Sequence, residues 1–315
     1  FIGLAYFAEI PVTIINVQRG GPSTGMPTRT QQSDILCCAY ASHGDTKHVL
    51  LLPEDPYECF EHSAKALDLA DRLQTPVFVM TDLDIGMNQR LSRLFDWDDA
   101  HVFDHGKVMT AEELEAGKDF GRYKDVDGDG IPWRTLPGTH PTKGSYFTRG
   151  TTRDPYARYS ERGADYMYNM DRLQKKFKTA AQIVPAPVLR KSHTPSKIGV
   201  IYYGSTSPSM LEAFELLEKE GIHLNGLRLR AFPFADVVEE FIDDQDLVFV
   251  VEQNRDAQMR TLLINELEIN PAHLIKVLHY DGTPITARFI HAAIRDRLKQ
   301  SDSPKKTSIK SKELA

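Results

Sequence analysis

The run Gln18-Arg19-Gly20-Gly21-Pro22-Ser23-Thr24-Gly25 decides how the chain is read, because it follows Val12 to Val17 (VTIINV) without a break. Six residues rich in β-branched side chains read as a buried strand. The strand delivers its last residue into a loop of small, turn-forming residues that lets a ligand approach the backbone closely. In an open α/β sheet, ligands collect outside the carboxyl ends of the strands. Arg19 is the single charge in the loop, and its planar fork suits a carboxylate or phosphate. The same residues also suit a plain Gly-rich turn carrying a solvated arginine.

The 315 residues are enough for about two domains. A net charge of −6 gives no electrostatic footprint for DNA or RNA. No apolar run is long enough to span a bilayer, and no secretory signal opens the sequence. The three cysteines, Cys37, Cys38 and Cys59, form no CxxC pair, so this chain alone supplies neither a zinc site nor an iron–sulfur ligand set. Free thiols fit a reducing cytosol, so a cytoplasmic location is expected. Phe1 to Ala8 reads as the tail of a helix entered midway, so an N-terminal portion is expected to precede it.

Beyond the Arg19 loop, Thr28 is placed as an N-cap with Gln31 completing a capping box, predicting a helix to about Ala41. Its N-terminus would add partial positive charge beside Arg19. Val49 to Leu52 is the second strand. Asp55-Pro56-Tyr57-Glu58 opens a helix whose core face is Phe60, Ala64, Leu67 and Leu73. Pro76 to Met80 is the third strand, ending in a loop that holds Asp82, Asp84 and Asn88. In a parallel sheet this loop opens on the same edge as the Arg19 loop, where these residues either line the same crevice or cap the next helix.

Residues 95–160 carry no persistent apolar period, as expected of a functional or interface loop. Within them Asp125, Asp127 and Asp129 open a DxDxDG calcium-type loop, but the position of the twelfth ligand falls on Leu136. A tight acidic turn is the competing reading. His140 stands alone and reads as a satisfied or surface histidine. A helix over 164–183 presents Met167, Met170, Leu173 and Phe177 as a packing face. Residues 186–196 read as a proline-punctuated linker between domains. After it four strand–helix units, beginning at Ile198, Leu227, Leu247 and Leu274, predict a second parallel sheet over 197–300. Residues 301–315 read as a disordered tail. Gly204 to Ser207 and Pro233-Phe234 read as a cap and an interface turn. Glu252 to Asp256 reads as a polar strand exit suited to a subunit contact.

Taken together, 8–12, 18–28, 75–88, 125–150 and 249–260 resemble the α subunit of the 2-oxoacid:ferredoxin oxidoreductases, the 2-oxoglutarate synthase branch being nearest. The resemblance implies an α/β chain of two parallel-sheet domains. Residues 1–185 would be part of a thiamine diphosphate pyrimidine-binding domain, followed by a transketolase C-terminal-like domain. It implies oxidative decarboxylation of a 2-oxo acid with coenzyme A, or the reverse. The cofactor, thiamine diphosphate with Mg2+, would be shared with a β subunit that also carries an iron–sulfur cluster. Ferredoxin would be the electron partner and a dimer of heterodimers the assembly. The family's substrate-carboxylate arginine falls on Arg19, with Gly20, Gly21, Ser23 and Thr24 around it, while Asp82, Asp84 and Asn88 fall near cofactor or CoA. The family's proton-relay glutamate precedes residue 1, so no catalytic acid is assigned in this chain. The competing readings are an organic-anion-binding protein without chemistry and an interaction scaffold built on the acidic 125–130 loop.

Overall fold

A computed structural model describes residues 1–302. Strand β1 (Val12–Gln18) is the edge of a four-stranded sheet ordered β1-β3-β2-β7, with β2 at Val49–Leu51, β3 at Pro76–Asp82 and β7 at Ala231–Phe232. The first three strands are parallel, while β7 adds antiparallel from the second half of the chain. The second sheet is ordered β4-β6-β5-β8-β9: β4 is Val188–Arg190, β5 Ile198–Tyr203, β6 Asn225–Leu229, β8 Leu247–Glu252 and β9 Leu274–Leu278. Its four central and edge strands from β6 to β9 run parallel, as alternating βα units require, and β4 pairs antiparallel with β6.

Segment 186–196 is therefore more than a linker, because it donates β4 to the second sheet. The strand read as Leu227 to Phe232 breaks after Leu229, and its last two residues cross to the first sheet. One continuous core results: Leu50, Phe78 and Met80 pack in the same cluster as Leu227, Phe232, Val250 and Leu262. Burial of this shared apolar area, at roughly 25 cal/mol per Å2, binds the two sheets into one body.

The helix expected from Thr28 is short. Only Ile35–Ala39 (α2) is helical, and 28–34 is a turn followed by irregular chain. The reason is tertiary: Gln32 N–H donates to Gln253 O at 2.8 Å, and the Gln32 side chain enters a buried polar junction, so a helical path through 28–34 is excluded. Helix α3 (Pro56–Leu73) starts as read, with Asp55 accepting from Glu58 N–H at 2.7 Å. Its core face is Ala66, Leu69, Ala70 and Leu73; Leu67 is exposed, and Phe60 turns to stack on Phe95 at 5.1 Å. Between β3 and the next long helix lie α4 (Leu83–Met87) and α5 (Ala111–Glu115), the latter closed by a Thr110/Glu113 capping box.

Helix α6 (Gly163–Ala180) meets its sequence reading in part: Leu173 is buried and Phe177 packs on Phe232 with ring centroids 5.2 Å apart. Met167 is exposed, and the buried face carries Asp165, Asn169, Arg172, Leu173 and Lys176. The charges are drawn inward by Glu9, which follows helix α1 (Ile2–Ala8) and is fully buried. Glu9 pairs with Arg172 and, at 2.8 Å, with Lys176, while Arg153 lies 3.5 Å away. Arg122, Arg153 and Tyr123 donate to the α1 carbonyls of Glu9, Phe7 and Ala8 respectively, so cations close the negative end of that helix. This hub fastens the irregular 95–160 segment to the first sheet.

The second sheet is flanked by α7 (Ser207–Lys219), α8 (Asp236–Asp243), α9 (Gln258–Leu267) and α10 (Ala287–Asp302). The tail expected at 301–315 lies, beyond Asp302, outside the described residues. No described helix is long and apolar enough to cross a membrane.

Candidate active site

Parallel pairing of β1 with β3 sets Gln18 opposite Asp82, so the Arg19 loop and the Asp82–Asn88 loop leave the sheet side by side. Gly20 N–H donates to Arg29 O at 2.9 Å and Met26 N–H to Gly20 O at 2.7 Å, closing residues 20–29 into a tight loop. Gly25 is required there: its φ is +46°, and a Cβ would sit 2.0 Å from Gly20 O. Gly21, Ser23 and Thr24 are exposed around the loop, and Gly20 is buried beneath it. Arg19 is exposed, and its guanidinium makes no hydrogen bond or ion pair with any described residue. A guanidinium on a rigid, closed loop with no internal carboxylate is available to an external anion.

The neighbouring acids are not equally available. Asp82 is buried: one oxygen caps α4 through Asp84 N–H and Ile85 N–H, and the other accepts from Ser205 Oγ at 2.5 Å and Gln32 Nε2 at 3.3 Å. Burial pushes its carboxyl up, while the Ser205 hydroxyl works against that shift. Asp82 thus ties the strand edge to the second sheet and has no free oxygen for a ligand. Asp84 accepts from Arg90 at 2.9 Å and Asn88 at 3.3 Å, and both Asp84 and Asn88 line a crevice with Thr28, Arg29 and Thr30.

The Ser205 turn and the 252–256 run serve the same junction. Gln253 donates to Ser205 Oγ at 2.9 Å and Thr206 Oγ1 at 3.2 Å, and Asn254 donates to Gln32 O at 3.0 Å. Glu252 accepts from Met259 N–H and Arg260 N–H at the start of α9. Burial raises its carboxyl, and those amides pull it back. Glu252, Gln253 and Asn254, expected at a subunit contact, are therefore engaged between the two halves of one chain, while Arg255 and Asp256 are exposed and pair with each other. Gly204 to Ser207 is likewise consumed internally, and Phe234 is buried in the shared core.

The acidic loop does not gather its carboxylates. Asp125 accepts from Gly128 N–H, Gly130 N–H and Lys175; Asp127 from Lys107 and Trp133; Asp129 from Lys107 and Ile131 N–H. With lysines where a cation would sit, it is a turn anchored on α6 and Lys107. Among the described residues no group of three His, Cys, Asp or Glu side chains is placed to hold a metal. His140 is engaged by Glu115 at 2.5 Å and accepts from Thr142 and Lys143 N–H, a loop brace.

Arg29, Thr30, Gln32 and Glu9 were not singled out from sequence. Arg29 and Gln32 were hidden by the helix reading of 28–41, and the available signal was a second arginine ten residues after Arg19.

Residues 1–178 match the family described as "Pyruvate flavodoxin/ferredoxin oxidoreductase, thiamine diP-bdg". The chain is 30% identical over 300 residues to the α subunit of 2-oxoacid:ferredoxin oxidoreductase 2 of Aeropyrum pernix, covering 93% of this chain and 45% of that protein. It is 28% identical over 242 residues to the 2-oxoglutarate synthase subunit KorA of Methanocaldococcus jannaschii, covering 75% of this chain and 60% of that one. The fold is shared with the 2-oxoglutarate:ferredoxin oxidoreductase of Magnetococcus marinus, with a TM-score of 0.82 and 23% identity over 94% of this chain and 50% of that one. The chain spans roughly half the length of these relatives. The closed Arg-Gly-Gly loop at the carboxyl edge of a parallel sheet and the match over its first 178 residues agree: the chain belongs to the thiamine diphosphate-binding pyruvate flavodoxin/ferredoxin oxidoreductase family.

Proposed function

We infer that this chain is part of the α subunit of a 2-oxoacid:ferredoxin oxidoreductase, converting a 2-oxo acid and coenzyme A into acyl-CoA and CO2, or running the reverse. 2-Oxoglutarate is the favoured substrate, supported by the names of the KorA relatives. The observation that carries the reading is Arg19, an unpartnered guanidinium on a closed glycine loop at the end of β1. Its role is to grip the carboxylate beside the keto carbon and fix that carbon's orientation. Positioning a reactant is worth several kcal/mol in favourable cases.

The described residues do not by themselves fit the Mg2+ of thiamine diphosphate, since no three candidate ligands converge. Nor do Cys37, Cys38 and Cys59, one exposed and one buried, make a cluster ligand set. The reading therefore gives the metal, the diphosphate contacts and the iron–sulfur cluster to a β subunit, and ferredoxin to the assembled enzyme. The second domain is read as transketolase C-terminal-like, and the cytoplasm as the compartment.

The test is reconstitution. Purified alone, the chain is expected to give no 2-oxoglutarate-dependent dye reduction; with a co-purifying, brown, cysteine-bearing partner, reduction appears. Turnover by the chain alone, or carboxylate binding by a stable monomer without any such partner, would overturn the subunit reading.

A further inference from the structure

Helix α4 ends at Met87, and the chain then runs from Gln89 to Asp98 without helix, strand or turn. No backbone group in 89–97 bonds another described residue. Contacts with α3 nevertheless hold this strap in place. Phe95 stacks on Phe60, and Trp97 meets the same ring edge-on at 6.1 Å. The Arg93 guanidinium lies over the Tyr57 ring, 3.7 Å from its centroid. Arg93, Phe95 and Trp97 therefore turn towards α3, and the positions between them turn away, the alternation of an extended segment.

The outward side is apolar and negative. Leu91 is wholly exposed and Leu94 92% exposed, with Met87 half-exposed before them. Apolar residues scattered singly on a surface need no explanation, but several large ones on one ordered segment mark an interaction surface. The cations of the strap are spent internally, Arg90 on Asp84 and Arg93 on Tyr57. Asp96 and Asp99 are exposed and have no partner among the described residues, and Asp98 accepts only from Ala100 N–H, at 2.8 Å. Apolar side chains edged by uncompensated carboxylates fit a surface that is apolar at its centre and cationic at its rim.

The strap also starts at the edge that carries Arg19. Helix α4 follows Asp82 directly, and Asp82 is paired with Gln18, the residue before Arg19. A subunit that completes a cofactor site over Arg19 comes to lie against the strap. We propose that residues 87–99 are the docking strap for that subunit, whose facing surface is an apolar groove rimmed with lysine or arginine. This docking rests on the subunit reading above and adds where, and by what chemistry, the partner is held. A second copy of this chain is the poorer fit, because it brings the same uncompensated carboxylates, like charge to like. With the strap already ordered on α3, docking costs little further conformational entropy.

The test is the affinity of the full chain for the cysteine-bearing subunit that purifies with it, measured by analytical ultracentrifugation at about 50 and 500 mM salt. Leu91→Ala with Leu94→Ala should weaken association about tenfold or more, the loss of two buried aliphatic contacts. The thermal midpoint of the chain should not move, since both side chains stand in solvent. Asp96→Asn with Asp99→Asn should weaken association several-fold at low salt and flatten its salt dependence, which lost packing alone would not do. Val188→Ala with Leu189→Ala, a partly exposed apolar pair on β4 of the second sheet, should leave it within about twofold. Parent-like affinity of the Leu91/Leu94 variant, in a complex that does form, overturns the strap and leaves the subunit reading standing. Self-association of the chain that the same variant abolishes overturns it in favour of a second copy. Absence of any stable complex with a cysteine-bearing subunit overturns the subunit reading and the docking with it. Arg19 is judged separately, by 2-oxo acid turnover of the assembled enzyme.

Discussion

Gln18 and Asp82 face each other as the last residues of two parallel neighbours, and each side chain holds a different part of the molecule. Gln18 Oε1 accepts from Asp34 N–H at 3.1 Å, steadying the start of α2. Asp82 reaches Ser205 and Gln32 in the junction between the sheets. The pair fixes where the next residue, Arg19, leaves the sheet.

Arg19→Ala in the assembled enzyme is expected to lower kcat/KM for a 2-oxo acid by roughly 10- to 150-fold, the loss of one charge-assisted contact of about 1.5–3 kcal/mol. Arg19→Lys should also be impaired, because it keeps charge and loses the fork. Steady-state kinetics on both variants decide the matter; parent-like values would remove Arg19 from the substrate.

Glu9→Gln removes the carboxylate shared by buried Arg153, Arg172 and Lys176. Leaving buried cations without their counter-ion typically costs about 3–5 kcal/mol. Urea unfolding should show a loss of that order, with protease cleavage appearing first in 95–160, the segment the hub anchors. A change below about 1 kcal/mol would mean that the carbonyls suffice.

Acid sensitivity should concentrate at the Glu58–Arg228 contact between α3 and β6, which also engages Arg230 and His62. Burial pushes His62 down to about 4. Its unfolded form takes up a proton near 6.5 while the folded form does not, so stability is lost as pH falls from about 6.5 to 4. Burial would raise Glu58, but Arg228 outweighs it and holds the carboxyl near 2, so its contribution is lost as pH falls from about 4.5 towards 2. His62→Gln should remove up to about 3 kcal/mol of the pH dependence between 6.5 and 4. Thermal midpoints across that range check it, and an unchanged slope would reject the assignment.

Asp82→Asn and Ser205→Ala should couple. The 2.5 Å hydrogen bond between these buried groups joins the two halves of the chain. A double-mutant cycle on stability should return an interaction of about 1–3 kcal/mol. Additivity within about 0.3 kcal/mol would show that the junction does not depend on this contact.

Much of the scaffold was legible because its signals are local. Strands β1, β2, β3, β5, β8 and β9 are short apolar runs bounded by turn residues, and Asp55-Pro56 starts α3 where capping chemistry requires. The Arg19 loop was legible for the same reason: a strand end, glycines and one charge are adjacent in sequence.

What sequence alone determined about this protein is the βα alternation, the strand–glycine-loop–arginine unit and, through several ordered motifs, the family. Tertiary structure decided the rest, because long-range partners outbid local preference. Gln253 and Asp82 pull 28–34 out of a helix, Glu9 turns the charged face of α6 inward, and Lys107 and Lys175 occupy the acidic loop. A hydrogen bond or ion pair withdrawn from water is worth more than the few tenths of a kcal/mol by which one residue prefers a helix. Which polar groups are withdrawn is settled only when distant segments meet.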